Sequence, residues 1–441
     1  MDTNAAIAFS RFGLGRRLDE PAPTDAHAWL RAQLEAPDPT PTARLQTSAQ
    51  SLVLAQQVAQ AVRTASSDVN SKAGESPIHR QFKQQAHYEE VVFLNNALVT
   101  NSGFRERLVW FWVNHFNITA KNRITQATIG PFVREAIRPH VTGRFQDMLL
   151  AVMQHPAMLG YLDQVKSKGP DSEVGERKHK GLNENLAREC LELHTVTPAA
   201  GYTQADVTSF AKILTGWTVT LSRDPRGFVF KEGAHEPGQQ TVMGRTWPDG
   251  EQGGIQLLAW LANHPSTHHH LAEKLVRHFV ADDPPPADVA RIEAVLRDTN
   301  GNLGAASQML INLPNAWAPL TKIRSPMDFV VASLRAVGAT AQSNPQIVEN
   351  LRDLGEGLFR APFPIGWPDR AADWAGPEAM LQRVDYAYQL SARLTDREPV
   401  ELAQNTLGPL LAAETLTEIR RAGTRQDGLT LLFASPEFQR R

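Results

Sequence analysis

Residues 183–194 carry the densest group of side chains that could do chemistry. Glu184, Arg188 and Glu192 are spaced four residues apart, and so are Asn185 and Glu189. In a helix all five lie on one arc of about 140°. On a solvated face they would form an ion-pair ladder. Facing a cleft, the carboxylates would bind a divalent cation, or one of them would act as an acid or base with a raised pKa.

Within this arc, Glu189 is the predicted acid or base, and Arg188 the group that would bind an anionic part of a substrate. Position 193, four residues after Glu189, holds leucine rather than a cation. A carboxylate without a local partner on a crowded acidic face is expected to have a raised pKa or an external cation. If Glu189 faces water, neither is needed.

Asn114 and His115 form a second candidate pair. They lie in a helix predicted over 105–118, whose apolar side chains cover almost its whole circumference and which is therefore expected to be buried. A buried His or Asn needs hydrogen-bond partners or a ligand. His115 is thus a candidate metal ligand or general base, or else a satisfied core histidine. Asn114 and Asn185 are the candidate cofactor-binding residues.

His235 is the third candidate, in the sequence His235-Glu236-Pro237-Gly238. A histidine in a Gly/Pro-rich loop is free to reach a site built by helices, but it is equally consistent with a turn residue. With His115, it would flank a site floored by Glu184, Arg188 and Glu189. Imidazole and carboxylate together suit zinc or manganese.

Other polar and aromatic residues are more typical of structure than of a site. The run Thr267–His270 is expected at a solvated helix start. Lys274 and His278 lie at the edge of the apolar stripe of the same helix, where either could line a pocket. Trp217, Trp367 and Trp374 are interpreted as core residues or, alternatively, as the wall of a cleft.

The elements that must position these residues are mainly helices. Apolar residues recur at 3.6-residue spacing over most of the chain, which predicts a mainly α, single-core domain over 1–441. One β-hairpin is predicted near 226–247. Mobile loops are predicted near 36–44, 64–78 and 165–181, and an irregular aromatic loop over 361–377.

Composition excludes several function classes. A net charge of -2 disfavours a nucleic-acid partner. The single cysteine, Cys190, excludes an intrachain disulfide and a cysteine-based zinc site. No apolar run approaches the ~20 residues of a membrane span. The first residues lack a basic start and a long apolar run, so no signal peptide is predicted.

Several short motifs match, in order, those of one bacterial family. They are Asn4–Gly15, Trp112–Phe116, Met158–Asp163, Leu182–Leu193, Gly201–Val207, Leu214–Thr218, His235–Gly238, Lys274–Val280 and Ala434–Phe438. The chain resembles the family known as domain of unknown function 1800 over nearly its whole length. The recurrent polar positions of that family fall here on the candidates above: Asn114, His115, Asn183, Glu184, Asn185, Arg188, Glu189 and His235.

The resemblance implies a mostly helical fold and no settled activity. Genes of the family commonly lie beside those of a second family that looks like the sulfatase and alkaline-phosphatase superfamily and often carries a twin-arginine export signal. The resemblance therefore implies a sulfatase-like protein partner. It leaves the compartment open between the cytoplasm and, by co-export, the periplasm.

Two hypotheses follow. The first is a hydrolase or lyase acting on an envelope glycan or another polar substrate, with or without a divalent cation. The second is a non-catalytic protein that folds and is exported with the sulfatase-like neighbour. On the first hypothesis, His115, the 183–192 helix and His235 should converge on one cleft.

Overall fold

The computed structural model describes residues 1–40, 45–66, 76–178 and 181–441. Helices make up 64% of the chain and strands 4%, which confirms the prediction of a mainly α fold. One hydrophobic cluster of buried side chains extends from Ala8 to Phe438. Among the described residues, no helix is both long and apolar enough to span a bilayer.

The α-helices follow one another along the whole chain. They are α1 (Thr3–Ile7), α2 (Ala26–Glu35), α3 (Ser48–Ser66), α4 (Pro77–Val99), α5 (Gly103–His115), α6 (Arg123–Phe132), α7 (Phe145–Gln154), α8 (Pro156–Tyr161), α9 (Glu173–Lys178), α10 (Asn185–Glu189), α11 (Gln204–Leu214), α12 (Glu251–Ala262), α13 (Pro265–Phe279), α14 (Pro286–Asp298), α15 (Leu303–Asn312), α16 (Pro326–Ala336), α17 (Ile347–Asp353), α18 (Ala371–Trp374), α19 (Pro377–Ala392), α20 (Pro399–Leu407), α21 (Ala413–Arg421), α22 (Arg425–Ala434) and α23 (Pro436–Gln439).

Three of these helices continue into a π-helical turn. The π turns are Ala8–Phe12 after α1, Val133–Ile137 after α6 and Cys190–His194 after α10. Short 3-10 helices lie at Arg138–His140, Gln164–Lys166, Pro198–Ala200, Glu232–Ala234, Pro314–Trp317 and Gly408–Leu410.

In the described part of the chain, the strands form two antiparallel hairpins. Strands β1 (Trp217–Thr220) and β2 (Gly227–Phe230) pair with Trp217 opposite Phe230, and β3 (Gln240–Val242) pairs with β4 (Arg245–Trp247). A hairpin is predicted near 226–247, and β3–β4 lies within those bounds. A second hairpin, β1–β2, precedes it and begins at Trp217.

Helix α5 lies at the centre of the molecule, as predicted. Trp110, Phe111 and Trp112 are 6%, 5% and 1% exposed, which confirms that an all-round apolar helix is buried. The helix ends at His115, three residues before the predicted end, because Phe116 leaves helical geometry (φ -101°, ψ 50°). This early end turns the chain so that the residues after His115 reach the loop at 361–367.

Helix α13 presents one apolar and one polar stripe. Leu271, Leu275 and Phe279 recur every four residues and are buried in the core. His270, Lys274 and His278 recur with the same spacing, one position earlier on the helix. The helix begins with Pro265 at its first position, and the ring of His264 accepts a hydrogen bond from Ser266 N (3.2 Å). These features fix where the helix begins. The side chains of the polar stripe therefore keep a fixed position relative to the core.

The three predicted mobile segments fall partly outside the described residues, namely at 41–44, 67–75 and 179–180. The described parts of two of them hold helical residues. The end of α3 occupies 64–66, and α9 lies within 165–181. The carboxylate of Glu236 accepts a hydrogen bond from the backbone of Asp171 (2.9 Å), which ties this segment to the hairpin region.

Candidate functional site

A cavity of about 310 Å³ lies between α5 and α13 and is hereafter called the α5–α13 cavity. This volume is at the lower end of the range found for small-molecule sites. Segments far apart in the chain line it, and their aromatic members form much of its wall: Phe93, Trp110, Phe111, Phe359 and Trp367. Apolar walls with a few polar groups are typical of a site for an organic molecule.

One wall of the cavity is a loop tethered by amide side chains. Asn114 accepts a hydrogen bond from Trp367 N (2.8 Å) and donates one to Trp367 O (2.9 Å). Asn117 donates to Phe363 O (2.9 Å), and Thr119 donates to Ala361 O (2.7 Å). These bonds hold loop 361–369 against the end of α5. Asn114, predicted to bind a cofactor, therefore positions the wall of the cavity.

His278 and Asp369 form an imidazole–carboxylate pair in this cavity. Nδ1 of His278 lies 2.9 Å from Oδ2 of Asp369. Because a carboxylate only accepts hydrogen bonds, Nδ1 is protonated and donates the hydrogen bond. Burial lowers the pKa of His278 to about 4, although the Asp369 carboxylate opposes the shift. The neutral ring therefore has an unprotonated Nε2, which is buried and has no hydrogen-bond partner among the described residues. Such an atom can accept a proton.

Asp369, whose side chain is 28% exposed, belongs to a network of opposite charges that extends into the interior. Arg441 lies 3.0 Å from Asp369 and 2.8 Å from Asp328, and Arg107 of α5 lies 2.7 Å from the other oxygen of Asp328. Burial alone would raise the pKa of Asp369. The opposing effects of His278, Arg441 and Lys322 together hold the pKa of Asp369 below its usual range. The carboxylate is therefore ionised and can orient the imidazole.

Lys274 lies one helical turn before His278 and also lines the cavity. Within the described part of the chain, its ammonium forms neither a hydrogen bond nor an ion pair. The neighbouring Arg277 differs, because it pairs with Glu273 at 2.6 Å. Burial lowers the pKa of Lys274 to about 8. The charge of Asp369 opposes this shift only in part. At neutral pH the cavity therefore holds a largely protonated ammonium with no carboxylate of a described residue within ion-pair distance.

Three more imidazoles surround Lys274, and all are neutral. Nε2 of His115 lies 3.2 Å from the carbonyl of His194, and Nε2 of His270 lies 3.1 Å from the carbonyl of Leu193. Burial and then the charge of Lys274 lower the pKa of His270 to about 4 and that of His194 to about 3, and they hold the pKa of His115 well below its usual range. None of these rings adds positive charge at neutral pH.

Glu356 is a buried carboxyl group that complements the imidazole of His278 in the same cavity. It lines the cavity and accepts a hydrogen bond from Met327 N (2.7 Å). Burial raises its pKa to about 7, and the bond from Met327 only partly opposes this shift. Glu356 and His278 thus provide a carboxylic acid and a neutral imidazole, with pKa values displaced in opposite directions, in one cavity.

The predicted carboxylate arc lies elsewhere, and Glu184 and Arg188 form an ion pair within it. Glu184 bonds to Arg188 (2.9 Å), Gln204 (2.9 Å) and Thr208 (2.6 Å), and Asn185 is exposed. Glu189 is half-buried and makes no hydrogen bond or ion pair with any described residue. Burial and the charge of Glu192 raise the pKa of Glu189, which is the direction predicted from the sequence.

His235 has both ring nitrogens occupied. Nδ1 lies 2.8 Å from Thr215 O, and Nε2 lies 3.0 Å from Gly250 N and 3.0 Å from the Asp249 carboxylate. The ring is 7% exposed. These contacts join the end of α11 to the start of α12.

The structure thus brings only two of the predicted site residues, Asn114 and His115, to the α5–α13 cavity. Glu184, Arg188, Glu189, Asn185 and His235 do not line it. The 183–194 segment contributes through its end instead, where Leu193 lines the cavity and the His194 carbonyl meets His115. No group of three or more His, Cys, Asp or Glu among residues 1–40, 45–66, 76–178 and 181–441 is placed to hold a metal ion.

Sequence reasoning identified some of the cavity residues and missed others. The position of Lys274 and His278 at the edge of an apolar stripe indicated a pocket, and Trp367 was a candidate wall residue. His270 was expected to be solvated but lines the cavity, and His268 is only 3% exposed, so that expectation is wrong for both residues. No local sequence pattern indicated a role for Asp369. Its role depends on contact with His278 of α13, which lies 91 positions earlier in the chain.

A family model described as "Protein of unknown function (DUF1800)" matches residues 7–440. No curated protein and no solved structure matches the chain.

Proposed function

Because the chain belongs to the DUF1800 family, whose description names no activity, we propose a function from its cavity: a hydrolase or lyase for a small polar molecule. His278 is the proposed general base and Asp369 the residue that orients it. The observation that supports this proposal is the 2.9 Å bond between the two, which leaves Nε2 of a neutral imidazole unpartnered. An oriented imidazole of this kind accepts a proton from water or from a substrate carbon.

Other groups of the cavity support the same chemistry. Glu356, with its pKa raised to about 7, is the proposed acid that returns a proton to the leaving group. Nε2 of His278 is covered by its neighbours, so lining side chains must shift when a substrate binds. Catalytic hydrogen bonds commonly tighten only in the substrate complex. The cavity volume favours a small substrate over a glycan polymer.

The test is cleavage of 4-nitrophenyl acetate by the wild-type protein and by two matched variants. His278→Gln and His270→Gln each remove one neutral imidazole from the same helix face, but only His278 has a carboxylate partner. We expect the wild-type protein to exceed the buffer rate and His270→Gln to retain this activity. His278→Gln should lose it without a fall in thermal midpoint. A wild-type rate no higher than that of His278→Gln would contradict the proposal.

The non-catalytic role is a second proposal, supported by one surface feature. Leu381, Val384 and Tyr388 of α19 are 66%, 39% and 51% exposed and lie on one face. Helix α22, which packs against α19, exposes Leu431 at 40%. A contiguous exposed apolar stripe is typical of a protein interface. The proposed partner is the sulfatase-like neighbour. Co-purification of the two proteins, lost in Leu381→Ser, would support this role.

A further inference from the structure

The charges of the α5–α13 cavity restrict the kind of molecule that it can bind. Four cationic residues line it, namely Arg107, Lys274, Arg277 and Arg441. Arg107 and Arg441 contact Asp328, and Arg277 contacts Glu273, each at 2.8 Å or less. Among the described residues, only Lys274 of these four has no carboxylate within ion-pair distance.

A half-buried ammonium without an ion-pair partner opposes folding, since burial removes hydration and the charge of Asp369 compensates for that loss only in part. The neighbouring rings do not replace it. His115 and His270 direct one nitrogen each to a backbone carbonyl. A bound anion would supply the missing partner and would gain from the low dielectric of the cavity.

The walls define the rest of the ligand. Trp110, Phe111, Phe359 and Trp367 present aromatic surface in the cavity that Lys274 also lines. Aromatic walls favour a flat apolar body that packs or stacks against them. One free cation balances one negative charge, and about 310 Å³ holds one compact organic molecule.

We infer that the substrate of the α5–α13 cavity is a small organic monoanion with a flat apolar body, whose anionic group binds Lys274. This inference rests on the proposed function, because it names the substrate class of the same site. Lys274 fixes the anion one helical turn from His278, so the reacting bond of the substrate would lie between its anionic group and the base.

A pair of fluorescent probes tests the inference. 8-Anilinonaphthalene-1-sulfonate and N-phenyl-1-naphthylamine share an aromatic skeleton, and only the first carries a negative charge. Both are titrated into the wild-type protein, Lys274→Met and Lys274→Gln. The control is Lys166→Met, which removes a lysine that is 72% exposed and pairs with Asp163. Energy transfer from tryptophan reports binding of either probe to the protein.

We expect the Lys274 variants to bind the sulfonate about 10-fold more weakly or worse, and the neutral probe as the wild-type protein does. Lys166→Met should leave both affinities unchanged. Wild-type affinity for the sulfonate should also fall as pH rises above about 8, where Lys274 loses its proton. This pH dependence should be absent from both Lys274 variants.

Each contrary result identifies which proposal fails. If the Lys274 variants lose affinity for both probes equally, or lose affinity for neither, the anion inference is wrong. If 4-nitrophenyl acetate cleavage still depends on His278, only the substrate class is then rejected. Charge-selective binding with ester cleavage that does not depend on His278 rejects the catalytic proposal and leaves the anion site in place.

Discussion

His278 is the residue whose protonation state determines the proposed chemistry. Its Nδ1 donates to Asp369, and burial lowers its pKa to about 4. We therefore expect a neutral ring, protonated at Nδ1, throughout the range from pH 5 to pH 8. Long-range ¹H–¹⁵N NMR of histidine-labelled protein, assigned with His278→Gln, measures both properties. A titration midpoint near 6.5 would show that burial does not lower the pKa of His278. A proton on Nε2 of the neutral ring would rule out the role of general base.

Lys274 should lower the stability of the protein below its own pKa. Its folded-state pKa is about 8 and its ordinary value 10.5, so the folded state binds fewer protons than the unfolded state between these limits. The contribution of Lys274 to the free energy of unfolding therefore rises as the pH increases from about 8 to 10.5. Lys274→Met should raise the thermal midpoint at pH 7 by about 1–3 °C. The gain should shrink towards pH 10.5 and be absent from Lys166→Met.

Glu189 should behave as a carboxylate with a raised pKa. The folded state then disfavours its ionised form, so its unfavourable contribution is present above the folded-state pKa and disappears below the ordinary value of 4.5. Glu189→Gln should leave the thermal midpoint at pH 7 unchanged or raise it. Differential scanning calorimetry at pH 7 and pH 4 measures this. A loss of several degrees at pH 7 would show that Glu189 supports the fold.

At the scale of elements, Asn114 joins helix α5 to loop 361–369. Replacing it with Ala removes both hydrogen bonds to the backbone of Trp367, at a cost of about 1–3 kcal/mol. Hydrogen exchange at the Trp367 amide should become faster in Asn114→Ala. Asn185→Ala, which truncates an exposed amide on α10, is the matched control. Unchanged protection at Trp367 would show that other contacts hold the loop.

Elements were easier to predict than their contacts. The 3.6-residue pattern of α5 and the stripe of α13 are local properties of the sequence, and both helices form where predicted. The partner of Asn114 is 253 positions away, and the predicted convergence of Glu189 with His235 required knowing which face of each element meets which. Packing of distant segments decides such contacts, and residue spacing does not encode it.

At the scale of the whole molecule, Asp328 connects α16 to α5 and to Arg441. Asp328→Asn would leave Arg107 and Arg441 without a full partner in the interior, which costs about 3–5 kcal/mol. Since its pKa lies below the usual range, its stabilisation is present at neutral pH and is lost as pH falls. Chemical denaturation should show this loss.

The control for Asp328 is Glu398→Gln, which breaks the exposed pair between Glu398 and Arg425. An exposed ion pair contributes about 0–1 kcal/mol, so this variant should unfold almost as the wild-type protein does. Equal destabilisation by the two substitutions would mean that the buried network contributes no more than a surface pair.

The walls of the α5–α13 cavity come from positions as distant as Phe93 and Arg441, so the cavity is assembled only when the entire chain has its tertiary structure. A compound that occupies it binds the native state and not the denatured one. At 100 times its dissociation constant, such a compound would stabilise the protein by about 2.7 kcal/mol. Binding can therefore be detected as a rise in the thermal midpoint of the protein. A thermal-shift screen of a metabolite library could identify the natural ligand without an activity to follow.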